Sequence, residues 1–118
     1  MSAKIIPLSP RKPHKRPDLT PVSFERNELS TILNIYGQMV ATGHWKDYAI
    51  DMLKERAVFS IYRRATETPL YQINKRPHLS GKNGLYSVIA PGGLILKRGN
   101  DLATVLRVFG KKRFKSSH

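Results

Sequence analysis

Leu85-Tyr86-Ser87-Val88-Ile89-Ala90-Pro91-Gly92-Gly93-Leu94-Ile95-Leu96-Lys97 is the stretch on which the fold turns. Two apolar, β-rich runs, residues 85–90 and 94–97, flank three turn-forming residues. Pro91 presets the first turn angle and Gly92 supplies a positive φ, so the stretch predicts a hairpin. A phosphate-binding glycine loop would need a helix N-terminus directly after the glycines, whereas Leu94-Ile95-Leu96 reads as a strand. Working backwards, residues 48–53, 57–64 and 70–75 show the same alternation and composition. The links are Lys54-Glu55-Arg56, residues 65–69, the longer 76–84 and residues 91–93. None has room for the crossover of a dozen residues that a parallel return requires, so the five strands form an antiparallel meander.

Upstream, residues 22–24 suggest a short strand. Leu29, Ile32, Leu33, Tyr36, Met39 and Val40 then fall at helical spacing and predict a helix over 25–42. Glu25 and Glu28 place negative charge at its first turn, and Gly43 is suited to a left-handed stop. Downstream, Asn100 caps a last helix with Asp101 in its first turn. Leu102, Val105, Leu106 and Phe109 line one face of this helix, and Gly110 stands just past its end. Two amphipathic helices and a sheet with one apolar face solve one burial problem together. The expected class is α+β, with both helices on the same face of a five-stranded sheet.

Charge divides the chain differently. Of a formal net +13, residues 1–20 contribute +4 and residues 111–118 another +4; residues 21–110 carry 12 basic and seven acidic side chains. Prolines 7, 10, 13, 17 and 21 punctuate the first segment. The expected organisation is a disordered, basic, proline-rich arm (1–21), one α+β domain (22–110) and a disordered basic tail (111–118). At 118 residues and 40% hydrophobic content, a single core of ordinary size needs no staples. With no cysteine, disulfides and thiolate metal sites are excluded, which fits a reducing compartment. The basic N-terminus lacks a signal-peptide core, its prolines oppose a transit helix, and no apolar run approaches 18 residues. The expected location is cytoplasmic.

The runs His44-Trp45-Lys46-Asp47-Tyr48-Ala49-Ile50-Asp51, Val58-Phe59-Ser60-Ile61-Tyr62-Arg63-Arg64 and Tyr86 to Gly99, followed by Asp101-Leu102 and Val105-Leu106-Arg107, resemble the domain of unknown function 2794 family of small alphaproteobacterial proteins. The resemblance spans roughly residues 22–110 and leaves both termini outside. It implies a bacterial cytoplasmic protein and brings no activity, cofactor or catalytic residue.

In a meander the third and fifth strands end at the same side of the sheet. Lys75, Arg76, Lys97 and Arg98 should therefore gather there, with Lys82 in the adjacent loop, as a phosphate-binding patch. Arg63 and Arg64 belong to the opposite end. Arg11, Lys12, Lys15 and Arg16 in the arm, with Lys111, Lys112 and Arg113 in the tail, would add non-specific affinity for a polyanion. Tyr62, which alternates with Ser60 and Arg64, is the best candidate for an exposed stacking ring. Tyr71 and Tyr86 share faces with Ile73 and Val88 and read as core. His44 near Asp47 and Asp51 reads as a group that fixes a turn, with Trp45 plugging the core edge. No nucleophile elbow and no metal-spaced histidine pair is present. The expectation is a non-enzymatic accessory protein without cofactor that binds RNA or DNA through backbone charge. The alternative is a protein-binding adaptor whose tails order in a complex.

Overall fold

The computed structural model describes residues 20–64 and 68–116, with side chains through residue 110. Helix α1 spans Arg26–Ala41 and is followed by strands β1 (Asp47–Met52), β2 (Ala57–Tyr62), β3 (Tyr71–Lys75), β4 (Tyr86–Ala90) and β5 (Leu94–Gly99), then helix α2 (Leu102–Ser116). The strands form one sheet in sequential order, every neighbouring pair antiparallel. The expected meander is the observed one. Residues 22–24 do not form a strand, although the Val22 N–H donates to the Leu53 carbonyl at 2.9 Å.

Glu25 caps α1 in an extended conformation and forms a capping box with Glu28, so two of the unpaired N–H groups at the helix start are satisfied by carboxylates. At the other end Gly43 takes φ +84°, and the N–H groups of His44 and Trp45 fold back onto the Met39 carbonyl. That reversal delivers Trp45 into the core. The turn at 91–93 uses positive φ at both glycines, Gly92 and Gly93. In the 76–84 loop, residues Pro77–Lys82 form a short 3₁₀ helix ended by Asn83 in the left-handed conformation.

Gly110 does not stop the last helix. The backbone continues helically to Ser116, which corrects the expected end. A glycine inside a helix costs only about 1 kcal/mol relative to alanine, and Gly110 has no positive φ to break the hydrogen-bond ladder.

Both helices cover one sheet face. Tyr36 of α1 meets Phe59 and Tyr48 edge-on, with ring centroids 6.0 and 5.0 Å away, while Phe109 of α2 meets Trp45 at 4.9 Å and Tyr71 at 5.2 Å. Ile32, Ile61, Ile73, Val88, Val105 and Leu106 fill the space between. Gly99 on β5 faces α2 closely: a Cβ there would sit 3.4 Å from Val105 Cγ2. Residues opposed across an antiparallel ladder share a face, so Asp51, Val58, Asn74, Ser87 and Arg98 form one row on the other side of the sheet.

Phe109 is fully buried at the junction of both helices and the sheet, whereas Leu94 is 62% exposed. Phe109→Ala should therefore cost about 3–5 kcal/mol, and Leu94→Ala under about 0.5 kcal/mol, read from the midpoints of urea unfolding.

Candidate functional site

The basic residues expected to converge are sorted by the sheet into two populations. The register Lys75↔Tyr86↔Gly99 does bring the ends of β3 and β5 to one side of the sheet. Lys75, however, alternates with Tyr71 and Ile73 and so belongs to the helix-covered face. Its Nζ donates to Glu28 Oε1 at 2.8 Å and to the Ser23 carbonyl at 2.9 Å. Only 12% of the Lys75 side chain and 10% of that of Glu28 remain exposed. The Tyr86 hydroxyl donates to Glu28 Oε2, and the Glu25 N–H donates to Oε1 at 2.6 Å.

Burial alone would raise the Glu28 carboxyl above its ordinary value of 4.5. The bonds from Lys75, Tyr86 and the Glu25 N–H, with the charge of Lys75, outweigh burial and hold the group below that value. The Tyr86 hydroxyl is pushed far above its ordinary 10, first by burial, then by its bond to Glu28 and the carboxylate charge beside it. Across the neutral range Tyr86 keeps its proton and Glu28 has lost its own. Neither is poised to exchange protons near pH 7, so the constellation is a clamp that fastens the start of α1 to β3 and β4. Lys75 is thereby removed from any anion-binding patch.

The helix-free face carries a different set. Arg76 has extended backbone (φ −126°, ψ 90°), and its N–H continues the ladder to the Leu85 carbonyl at 2.7 Å. One residue beyond Lys75, it therefore points the opposite way. Arg56 stands one residue before Ala57, which pairs with Lys75, and turns to that same face. Arg56 and Arg76 line one cleft of about 370 Å³ with Leu53, Lys54, Glu55 and His78. Arg98 is exposed on this face two strands away, opposite Ser87. Between them lie Asn74 and Ser87, both buried. Asn74 Oδ1 and Arg76 Nε are buried without a hydrogen-bond partner. Gln72 Nε2 donates to Ser60 Oγ at 3.2 Å in the same layer.

Of the remaining candidates, Lys82 is exposed in the 3₁₀ turn and Lys97 is exposed on β5 beside an irregularity in its pairing with β4. Arg63 and Arg64 follow the end of β2 on the far side of the sheet, and Tyr62 is half-buried on the helix-free face. Arg11, Lys12, Lys15 and Arg16 lie outside the described residues. Lys111, Lys112 and Arg113 fall on the final turns of α2, where side chains are not described. His44 Nδ1 lies 2.7 Å from the Thr42 hydroxyl within the turn after α1, and Trp45 is buried, as the turn-fixing reading expects. Among the described residues no group of three or more His, Asp or Glu is arranged to hold a metal ion. No helix among them is long and apolar enough to cross a membrane.

A family model described as protein of unknown function (DUF2794) matches residues 22–106. The chain belongs to the DUF2794 family. No curated protein and no solved structure matches it. The DUF2794 match begins at Val22, just before the α1 cap, and ends at Leu106 within α2. It therefore contains the Glu28 clamp and all three arginines of the helix-free face.

Arg56 lies in the link between β1 and β2, and its position one residue outside β2 is the sequence signal that it joins Arg76. The sequence marks Glu28 only as a first-turn charge; the alternation that puts Lys75 on the apolar face with Ile73 is the sign that Lys75 needs a buried partner.

Because the folded Glu28 carboxyl ionises more readily than the unfolded one, its contribution to stability is complete above about pH 4.5 and is lost as pH falls through the folded value. Glu28→Gln should flatten this acid limb of the stability curve. Tyr86→Phe, which removes a bond to a charged group, should cost about 1.5–3 kcal/mol at neutral pH by denaturant unfolding.

Proposed function

We propose that this protein binds the phosphate backbone of RNA or DNA across the helix-free face of its sheet. One observation carries the reading: Arg56, Arg76 and Arg98, from three different strand ends, lie on one face on which no described helix packs. A guanidinium engages phosphate with two parallel hydrogen bonds and keeps its charge at every physiological pH. Arg76 Nε and Asn74 Oδ1 are a buried donor and a buried acceptor without partners. The unpaired donor is costly in the unliganded state, and a phosphate oxygen that accepts from Arg76 Nε gains accordingly, whereas the Asn74 acceptor is a group that phosphate, itself only an acceptor, does not satisfy. Lys82 adds exposed charge at the margin, whereas Lys97, opposite Val88, belongs to the helix-covered face; the basic terminal segments raise encounter rates with any polyanion. Backbone contacts of this kind position a nucleic acid without reading its sequence.

A protein-docking role is the second reading, favoured by the exposed apolar side chains Tyr48, Ile50 and Met52 along the β1 edge.

Fluorescence polarisation with mixed-sequence RNA and DNA, repeated over a range of salt, tests the first reading. Affinity should fall steeply with salt. The triple variant Arg56→Gln, Arg76→Gln, Arg98→Gln should flatten the slope of log affinity against log salt by about 2–3, at about 0.7–0.9 per phosphate contact. Arg107→Gln, exposed on α2, should leave the slope unchanged. An unaltered slope in the triple variant would mean that the helix-free face is not the interface.

A further inference from the structure

We propose that β1 is a self-association edge: two copies of the chain pair their β1 strands antiparallel about a twofold axis, with Ile50 on that axis, to form one continuous ten-stranded sheet. All six residues of β1 are exposed, and among the described strands it pairs only with β2. Tyr48, Ile50 and Met52 share the helix-covered face with Ile61, Phe59 and Ala57, yet remain 41%, 37% and 56% exposed. The edge-on contact between Tyr36 and Tyr48, at 5.0 Å, brings α1 alongside β1. Leu33 and Val40, at helical spacing from Tyr36, are also exposed on α1. An apolar band is thus left unfinished along this side of the core.

The backbone of β1 is oriented to continue the sheet. The Leu53 N–H donates to the Arg56 carbonyl at 2.9 Å across the β1–β2 turn. By alternation, the odd-numbered residues of β1 hydrogen-bond to β2, and Tyr48, Ile50 and Met52 turn their N–H and C=O groups outward. The Tyr48 N–H is accordingly met by the carboxylate of its neighbour Asp47, at 2.8 Å, instead of by β2. The opposite edge is managed differently. β5 carries an irregularity in its pairing and the exposed cations Lys97 and Arg98, and α2 packs against it. Bulges, charge and covering helices are the devices by which proteins blunt strand edges. Between Asp47 and Met52 there is no lysine, arginine, proline or glycine.

The sequence of β1 also selects a second copy and a register. Keeping the helix-covered faces of both copies together allows Ala49, Ile50 or Asp51 on the axis. With Ala49 there, Asp47 of each copy opposes Asp51 of the other; with Asp51 there, the two carboxylates oppose each other directly. Both juxtapositions are unfavourable. Centring on Ile50 instead opposes Tyr48 to Met52, Ile50 to Ile50 and Ala49 to Asp51. The apolar side chains then meet in one row and no acid faces an acid. The chain's own N-terminal segment is the poorer occupant, because prolines at 7, 10, 13, 17 and 21 remove the N–H groups that a ladder needs.

The test uses the full chain after nuclease treatment and at high salt, so that bridging by nucleic acid does not contribute. Sedimentation equilibrium should give twice the chain mass. Ile50→Lys should halve that mass with an unchanged far-UV circular dichroism spectrum. Because the chain has no cysteine, a register test is also direct. Hydrogen-bonded opposed residues hold their Cα atoms about 5.5 Å apart, within disulfide reach. Ile50→Cys should therefore form a covalent dimer under mild oxidation, and Ala49→Cys should not. A wild-type chain that sediments at the mass of one copy, or equal cross-linking of the two cysteine variants, would overturn the proposal.

Discussion

The Glu28 carboxylate holds the described fold together at its most polar point. It closes the first turn of α1 through the Glu25 N–H, receives the ammonium of Lys75 from β3, and takes the hydroxyl proton of Tyr86 from β4. A lone carboxylate in this position would carry a large desolvation penalty, as would a lone lysine. Three donors converging on one acid turn both penalties into a constraint on geometry: α1 must begin where β3 ends. The hydrophobic contacts further along α1, from Ile32 to Met39, follow from that starting point.

The same constraint separates two kinds of charge. Sheet alternation sends Lys75 into the clamp, while Arg56 and Arg76, each one residue away along its strand, face the opposite side. A cation count for this end of the sheet therefore overstates what an anion would meet. Lys75 is held in the clamp, and Arg56, Arg76 and Arg98 are the cations carried by the helix-free face. The unmatched Asn74 Oδ1 and Arg76 Nε lie on that second side, so the polar imbalance of the structure and its available charge coincide there. The apolar imbalance lies elsewhere, along β1 and the adjoining flank of α1.

Much of the architecture was legible because short links leave an antiparallel chain no other route. The stretch from Leu85 to Lys97 and the helical spacing from Leu29 to Val40 were enough to fix the meander and the first helix. Gly43 and Gly92 took the left-handed conformations expected of them. Gly110 did not, because glycine permits a helix stop without enforcing one, and the hydrogen-bond ladder of α2 runs through it. The candidate site was legible only in part. Strand direction placed Lys75, Arg76 and Arg98 at one end of the sheet, but proximity in a topology diagram ignores which face each side chain takes. The Glu28 clamp joins residues 47 and 58 positions apart in sequence. No local pattern encodes such a contact; only the conflict of a lysine on an apolar face hinted at it.

The account rests on a division of labour between the two faces of the sheet. Its most direct measurement is amide chemical-shift mapping of the folded chain as a short mixed-sequence RNA is added. The account predicts shifts concentrated at Arg56, Asn74, Arg76, Ser87 and Arg98, with the amides of α1 and the first turns of α2 undisturbed. Shifts confined to the helices, or none in the sheet at saturating RNA, would contradict it.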